Sequence, residues 1–268
     1  MVKSLDYNTI QDIIKEGGSG EKELRVKGYE VFSKVPMPMW KRVKLDDVHI
    51  PYYKEYKSAA IDNDAQEGLV VNPLTKTLMD DDLNAIKSAL AHNFGVDEKF
   101  RNMVLAFYNT GFSVRALPNS NVKLPVTINY SAVGDDDTII DLNLIIAERL
   151  SNLTVVFDLA SDKRGFHNGL TAVIAKDGAS VNIVKIQRFS DDSSNFDNNI
   201  IITGNDATVK WTQIDLGSKV NAYDVTAELE GMSSSAYFNS IFLGAYDQSH
   251  DMSYRVNHIG RGQKAMLM

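Results

Sequence analysis

The sequence contains no cysteine among its 268 residues. This absence excludes disulfides, thiolate zinc sites, cysteine nucleophiles and any metal cluster held by the chain's own thiolates. Positive charge is also scarce, since 28 lysines and arginines stand against 35 aspartates and glutamates, for a net charge of −7. A broad basic surface for non-specific nucleic-acid binding is therefore not expected.

Long apolar runs are missing as well. No stretch is long enough to span a bilayer, and the start, MVKSLDYNTIQDIIKE, lacks the apolar core of a signal peptide. These two absences predict a cytoplasmic protein. The hydrophobic share of 44% and the charged share of 24% are typical of a folded globular chain. The length predicts one large domain, or one large domain with a smaller attachment.

The first part of the chain carries helical patterns. Residues 4–16, 21–34 and 80–93 place apolar side chains near a period of 3.6, which predicts three helices. The second pattern stops before PMPMW at 36–40, because two prolines two residues apart resist a continued helix. The triplet Asp80–Asp82 begins the third pattern, where negative charge is favourable at a helix N-terminus.

After about residue 108 the apolar period changes to 2, which predicts strands separated by clusters of Gly, Asn, Asp or Ser. The alternating sets are Phe112/Val114/Ala116, Leu124/Val126/Ile128/Tyr130, Ile140/Leu142/Leu144/Ile146 and Leu153/Val155/Phe157/Leu159. No long helical pattern follows. We therefore predict a mostly helical N-terminal region, residues 1–105, in front of a mainly β core domain, residues 106–268.

A weak internal repeat is present in the segments KDGASVNIVKIQ, GNDATVKWTQI and LEGMSSSAYFNSI. Each segment has a turn, a small residue and an alternating strand, and Ala179, Ala207 and Ala236 recur about every 28 residues. Such a period predicts stacked repeats, and repeats made only of strands favour a β-helix. A β-sandwich is the alternative that the same short strands allow.

Five segments, taken in order, resemble the SufB/SufD family of Suf iron–sulfur cluster assembly proteins. They are RVKGYEVFSKVPMPMW, AFYNTGFSVRALPNSNVKLPVTINY, GASVNIVKIQRFS, WTQIDLGSKV and GAYDQSHDMSYRVNHIG. The resemblance implies a right-handed parallel β-helix behind a small helical N-terminal region. It also implies a non-catalytic subunit that works with a SufB-type subunit and a SufC-type ATPase, as a heterodimer or homodimer.

Two departures from the family bear on which member this is. SufB-type scaffolds need thiolate ligands and this sequence has none, so a SufD-like role is expected, although PMPMW looks more like SufB. An iron–sulfur cluster or flavin is then expected only in the complex. The sequence stops within ten residues of His258, short of the family's last coils and C-terminal helices. That ending predicts weakened ATPase docking, with a truncated inactive member as a further alternative.

His250 and His258, with Asp247 and Asp251 beside them, are the candidate metal ligands, because imidazole and carboxylate bind iron and zinc. On one straight strand the two histidines would lie about 26 Å apart, at roughly 3.3 Å per residue. A turn between them is needed to make a site. The alternative is a structural turn and strand shared with the family, with no metal bound.

Three other motifs have weaker chemical interpretations. GRGQKA at 260–265 has the Gly-x-Gly-x-x-Ala shape of a dinucleotide loop, but no helix is expected after it, and no Walker A loop occurs anywhere. Asp80–Asp82 and Asp135–Asp137 could hold a divalent cation, although a helix start and a loop between strands are the simpler interpretations. His167, with no carboxylate near it in sequence, is predicted to be a solvated loop residue.

Five residues stand at family-like positions: Gln187, Phe189, Trp211, Gln213 and His258. The first four are predicted to form the β-helix core and its flank. Trp211 and Gln213 would share one strand face.

The runner-up function is a polysaccharide-active β-helix enzyme of the extracellular type, which needs paired carboxylates in a groove. The aromatic share of 9% and the lack of an export signal count against it.

Overall fold

A computed structural model describes residues 3–15, 17–41, 43, 45, 48, 51–56, 59–62, 66–74, 78–134, 136–245 and 247–268. Within these ranges the chain forms four helices: α1 (Tyr7–Ile13), α2 (Ser19–Lys34), α3 (Asp80–Leu90) and α4 (Glu98–Phe107). The first three confirm the predicted helices, although residue 16 of the first pattern lies outside the described residues. The fourth helix was not predicted. None of these helices is long and apolar enough to cross a membrane.

Strands make up the rest of the regular structure. They are β1 (Ala59–Asp62), β2 (Leu69–Pro73), β3 (Phe112–Ala116), β4 (Val126–Ala132), β5 (Asp137–Ala147), β6 (Asn152–Ser161), β7 (Gly165–Ala175), β8 (Ser180–Arg188), β9 (Ser194–Thr203), β10 (Thr208–Asp215), β11 (Val220–Leu229), β12 (Ser235–Phe242), β13 (Ser249–His258) and β14 (Lys264–Leu267). All four predicted alternating sets fall on strands, apart from Leu124, which precedes β4.

The strands build a parallel β-solenoid of about five turns. One sheet, here the outer sheet, has the order β1-β4-β6-β8-β10-β12-β14. The other, here the helix-side sheet, has the order β13-β11-β9-β7-β5-β3-β2. From β3 onward each strand pairs in parallel with the strand two places further along the chain. The β-helix prediction is confirmed, and the β-sandwich alternative is wrong because sandwich sheets are antiparallel.

The strand register shows which alanines of the internal repeat occupy equivalent positions in successive turns. Ser180 of β8 pairs with Thr208 of β10, so Ala179 and Ala207, one residue earlier in each turn, are equivalent. Ala236 pairs instead with Val209, two positions further on. The third member of the predicted alanine series is therefore out of register, because the turns differ in length by one or two residues.

A layer of helices covers the outside of the helix-side sheet. Apolar side chains of α2, α3 and α4 share one cluster with outward-facing residues of β5, β7 and β9, among them Leu142, Leu170 and Ile200. The helices α2 and α4 approach closely at Gly28, where an added Cβ would lie 2.8 Å from Leu105 Cβ. Helices and strands thus share a core. The division at residue 105 stays a prediction.

Candidate functional site

The interior of the solenoid is apolar along most of its length but polar beside the first half of the helix-side strands. In β5, β7 and β9 the apolar positions face the helices, so the alternate positions point inward. Many inward residues in the first half of these strands are polar and almost fully buried, although Ile139 is apolar. We call these polar residues the interior polar cluster: Asp141, Asn143, His167, Thr171, Asn195, Asp197 and Asn199, with Lys185 from β8 and Asn221 from β11.

Lys185 reaches into this cluster from the opposite sheet. Its Nζ atom lies 2.9 Å from both carboxylate oxygens of Asp197, from Asn199 Oδ1 and from Thr171 Oγ1. Four oxygens therefore surround a group with three N–H bonds when protonated. The Phe157 ring centre lies 4.9 Å from Nζ and the Trp211 ring centre 5.5 Å. The lysine head is thus enclosed by oxygens on one side and aromatic rings on the other.

His167 is held between two oxygen acceptors. Its Nε2 lies 2.5 Å from Asp141 Oδ1, and its Nδ1 contacts Asn195 Oδ1. Two acceptors on the two ring nitrogens require a doubly protonated, positively charged ring. Burial opposes that charge, but the charge and hydrogen bond of Asp141 outweigh it and raise the pKa of His167 above its ordinary value. The pair is a buried ion pair.

A directed row of hydrogen bonds leads from this pair towards the last turn. His167, Asn195, Asn221 and His250 occupy the same register position on β7, β9, β11 and β13. Asn195 Nδ2 donates to Asn221 Oδ1 at 2.6 Å, and Asn221 Nδ2 lies 3.2 Å from His250 Nδ1. His250 accepts there and is neutral, and burial lowers the pKa of its ring. The row therefore joins a charged histidine to a neutral one across four strands.

A second group of polar side chains lines the interior beside the outer sheet. Trp211 Nε1 donates to Gln213 Oε1 at 3.2 Å, and Gln213 Nε2 donates to Asp215 Oδ1 at 3.1 Å. Gln187 Nε2 donates to Gly217 O and Ser218 Oγ. Asp215 Oδ2 is buried and has no hydrogen-bond partner among the described residues, and burial raises the pKa of this carboxyl to about 6.

The predicted core residues are found where the sequence places them. Gln187, Phe189, Trp211 and Gln213 are all buried, and Trp211 and Gln213 share one strand face as expected. The prediction for His167 is wrong, since the residue is buried in β7 and paired with Asp141, which is 26 residues away in sequence. Asp141 lies close to His167 because the two residues occupy neighbouring, hydrogen-bonded strands of successive turns.

The two candidate metal-binding histidines stand at opposite ends of one unbroken strand. His250 is the second residue of β13 and His258 is the last, with no turn between them. Asp247 is exposed and lies 3.9 Å from Lys219, and Asp251 is exposed. Among the residues that the structure describes, no group of three or more His, Asp or Glu side chains is placed to hold a metal ion.

The remaining motifs take structural positions. The Gly-rich tail leads into strand β14, so the helix needed for dinucleotide binding does not follow it. Asp80–Asp82 begin α3, as predicted, and Asp82 also pairs with Arg115 at 3.1 Å. Of the second triplet, Asp135 lies outside the described residues. Asp136 pairs with Arg164, and Asp137 accepts backbone N–H groups in the loop before β5.

Comparison with known proteins gives one family. The model described as "SUF system FeS cluster assembly, SufBD core domain" matches residues 130–266, about half of the chain, from within β4 to within β14. The match includes every residue of the interior polar cluster and the tail motif at 260–265.

Three curated proteins are similar at low identity. The iron–sulfur cluster assembly SufBD family protein ycf24 of Pyropia yezoensis is 21% identical over 183 residues, which cover 64% of this chain and 38% of that protein. The MTH1150 homolog of Methanothermobacter thermautotrophicus, named for the same family, is 28% identical over 164 residues, 59% of this chain and 40% of that protein. The ycf24 protein of Guillardia theta is 22% identical over 183 residues, 64% and 38%. The aligned part thus spans about two fifths of each relative.

Proposed function

We propose that this chain is a SufD-like, non-catalytic subunit of the iron–sulfur cluster assembly complex. The chain belongs to the SufBD family, and membership in this family supports a role in Fe–S cluster assembly. In this proposal it pairs with a SufB-type scaffold and a SufC-type ATPase. The observation that carries the proposal is the family match over residues 130–266, because it covers consecutive turns of the solenoid. A location in the cytoplasm stays a prediction.

The chemistry of the chain supports a SufD-like role over a scaffold role. Iron–sulfur clusters are held mainly by thiolates, and the sequence has no cysteine to supply one. The interior polar cluster offers only nitrogen and oxygen atoms, already engaged with one another. A cluster or flavin is therefore proposed to be bound only with ligands from the partner.

The end of the solenoid formed by β13 and β14 supports a protein partner. Among the described residues, β13 and β14 lie at one end of the two sheets. Several large apolar side chains near this end are exposed: Ile241, Phe242, Leu243, Ile259, Met266 and Leu267. Exposed apolar side chains that lie together favour a protein contact.

The polysaccharide-active alternative has no observation in its favour. Its chemistry needs paired carboxylates that a sugar chain can reach. The closely packed carboxylates Asp141, Asp197 and Asp215 lie inside the solenoid with about 1% exposure or less. A polymer has no path to them.

Co-purification tests the proposal. The full chain, tagged, is co-expressed with a SufB-type and a SufC-type protein, separately and together. We expect a stable complex with the SufB-type protein, recovery of the ATPase when both are present, and no cluster absorbance when the chain alone is reconstituted with iron and sulfide under anaerobic conditions. Failure to bind either protein, or a stoichiometric cluster on the chain alone, would contradict the proposal.

Two matched variants locate the contact. Phe242→Asp changes a side chain that is 53% exposed at the β13/β14 end, and Leu124→Asp changes one that is 49% exposed before β4. Both leave the core intact, so folding is retained. Weakened SufB-type binding by Phe242→Asp alone supports docking at the β13/β14 end. Equal weakening by both variants speaks against that position.

A further inference from the structure

We propose that Lys185 and Asn199 join in an intramolecular isopeptide bond, with Asp197 transferring the protons, so that the chain covalently links its own outer sheet to its helix-side sheet. This self-modification is independent of the assembly role proposed above. It rests on the geometry of three side chains in the interior polar cluster.

The amine of Lys185 and the side-chain amide of Asn199 are already in contact. Lys185 Nζ lies 2.9 Å from Asn199 Oδ1. The amide carbon is one C=O bond, about 1.2 Å, from that oxygen, which places it about 3 to 4 Å from Nζ. Reactive pairs in sites of high effective molarity start from about 3–3.5 Å. The side-chain amide is also fixed in orientation, because Asn199 Nδ2 donates to Asp224 O at 3.1 Å.

Asp197 is placed to move the protons. Both of its carboxylate oxygens lie 2.9 Å from Lys185 Nζ, and it is two residues from Asn199 on the same inward face of β9. Transfer of one proton from the ammonium to this carboxylate produces a neutral amine with a free lone pair. Lys185 Nζ, which attacks, therefore lies beside both the carboxylate that accepts its proton and the amide group that it attacks.

The step balances without any other reactant. The Nζ lone pair attacks Asn199 Cγ and forms the new C–N bond. Asp197 returns a proton to Nδ2, the Cγ–Nδ2 bond breaks, and ammonia leaves. The second proton of the attacking nitrogen leaves with the ammonia as ammonium, and Asp197 ends as a carboxylate. The product is one amide, with no oxidant or reductant involved.

The surroundings shield the three reacting side chains from water. Lys185, Asp197 and Asn199 are each about 1% exposed or less, and the rings of Phe157 and Trp211 flank Nζ. Exclusion of water protects the amide carbon from hydrolysis. The strands on either side keep the groups aligned.

Mass spectrometry of the full, unmodified sequence tests the proposal. Under denaturing conditions the chain is expected to be lighter than its sequence by one ammonia molecule. Trypsin should give a branched peptide, residues 177–188 joined to residues 189–210, because a linked Lys185 resists cleavage. Recovery of linear 177–185 and 189–210 in full yield would overturn the proposal. A branched peptide lighter by water instead would place the bond on Asp197 and overturn the assignment to Asn199.

Variants distinguish the Lys185–Asn199 bond from other reactions of the chain that release ammonia. Asn199→Ala and Asp197→Asn should both have the full mass of their sequences, whereas Lys210→Met, at an exposed lysine of β10, should keep the ammonia loss. Ring closure at Asn168–Gly169 also releases ammonia, but it leaves linear peptides. A branched peptide in Asp197→Asn would overturn the role of Asp197. The digest of the original chain decides the existence of the bond even if a variant does not fold.

Discussion

His167 Nε2 lies 2.5 Å from Asp141 Oδ1 in the interior of the solenoid, and both side chains are almost fully buried. The two residues come from neighbouring turns, so the pair ties β5 to β7 through side chains as well as backbone. Breaking one member of a buried ion pair leaves the other charge without compensation, which costs more than the pair itself contributes. The contribution of the pair is therefore measurable by removing one partner and then both.

We expect His167→Gln to lower the free energy of unfolding by about 3–5 kcal/mol, because Asp141 is left as an uncompensated buried charge. The double variant His167→Gln/Asp141→Asn removes that charge and should recover more than half of the loss. Urea denaturation of the three proteins measures both values. His258→Gln, at an exposed position, is the control and should change stability by less than about 0.5 kcal/mol. Equal losses for the single and double variants would contradict the ion pair.

The two histidines of the directed row should titrate in a fixed order. Asp141 raises the pKa of His167, and burial lowers the pKa of His250, so His167 loses its proton at the higher pH. Because the folded pKa of His167 is above its unfolded value of about 6.5, its stabilisation is complete below that pH and is lost as pH rises through the folded pKa. Long-range nitrogen–proton NMR of the imidazoles measures the order. The reverse order would contradict the assigned ring charges.

Much of the fold could be predicted because its early strands have one clear apolar face. The sets beginning at Phe112 and Leu153 alternate, and both lie on strands. The helix α4 was missed although the sequence carries its signals: Asp97 caps it, and Glu98, Lys99 and Arg101 form a polar side opposite its buried residues. Strands such as β7 show no alternation between apolar and polar residues, because they are buried on both faces along their whole length.

The interior polar cluster could not be predicted, because its partners depend on register. Lys185 and Asp197 lie on opposite sheets, and His167 meets Asp141 only after one full turn. A sequence pattern gives neither the length of each turn nor the face that a polar residue takes. The alternation of Asn195, Asp197 and Asn199 in β9 was the available signal. It would ordinarily indicate a solvent-facing side, and only the helices packed on the opposite face reverse that assignment.

The close approach of α2 and α4 predicts a sensitive glycine. In Gly28→Ala the new Cβ would lie 2.8 Å from Leu105 Cβ and 3.0 Å from Ala106 N, so the helices must separate. We expect a loss of about 1–3 kcal/mol in the free energy of unfolding, as for other overpacked contacts. Gly18→Ala is the control, because, its chain neighbours aside, no atom of the described residues lies within 4 Å of its added Cβ. Chemical denaturation of both variants is the measurement, and equal losses would contradict the packing argument.

Asp215 predicts a pH dependence in the acidic range. Burial raises the pKa of this carboxyl to about 6, from the ordinary value of 3.8 for an exposed aspartate. The folded state therefore binds more protons than the unfolded state between those two values. Stability contributed by this group is highest below the unfolded pKa and falls as pH rises to the folded pKa. At about 1.4 kcal/mol per pKa unit, the total loss is roughly 3 kcal/mol.

Asp215→Asn removes the titrating group while keeping the oxygen that accepts from Gln213. Relative to the original chain, we expect the variant to gain roughly 3 kcal/mol of stability between about pH 4 and about pH 6.5, because only the original chain must bury a charge there. Urea denaturation at several pH values in that window measures the difference. Asp251→Asn, at an exposed carboxylate, is the matched control. A constant difference for Asp215→Asn would show that Asp215 titrates as an ordinary aspartate.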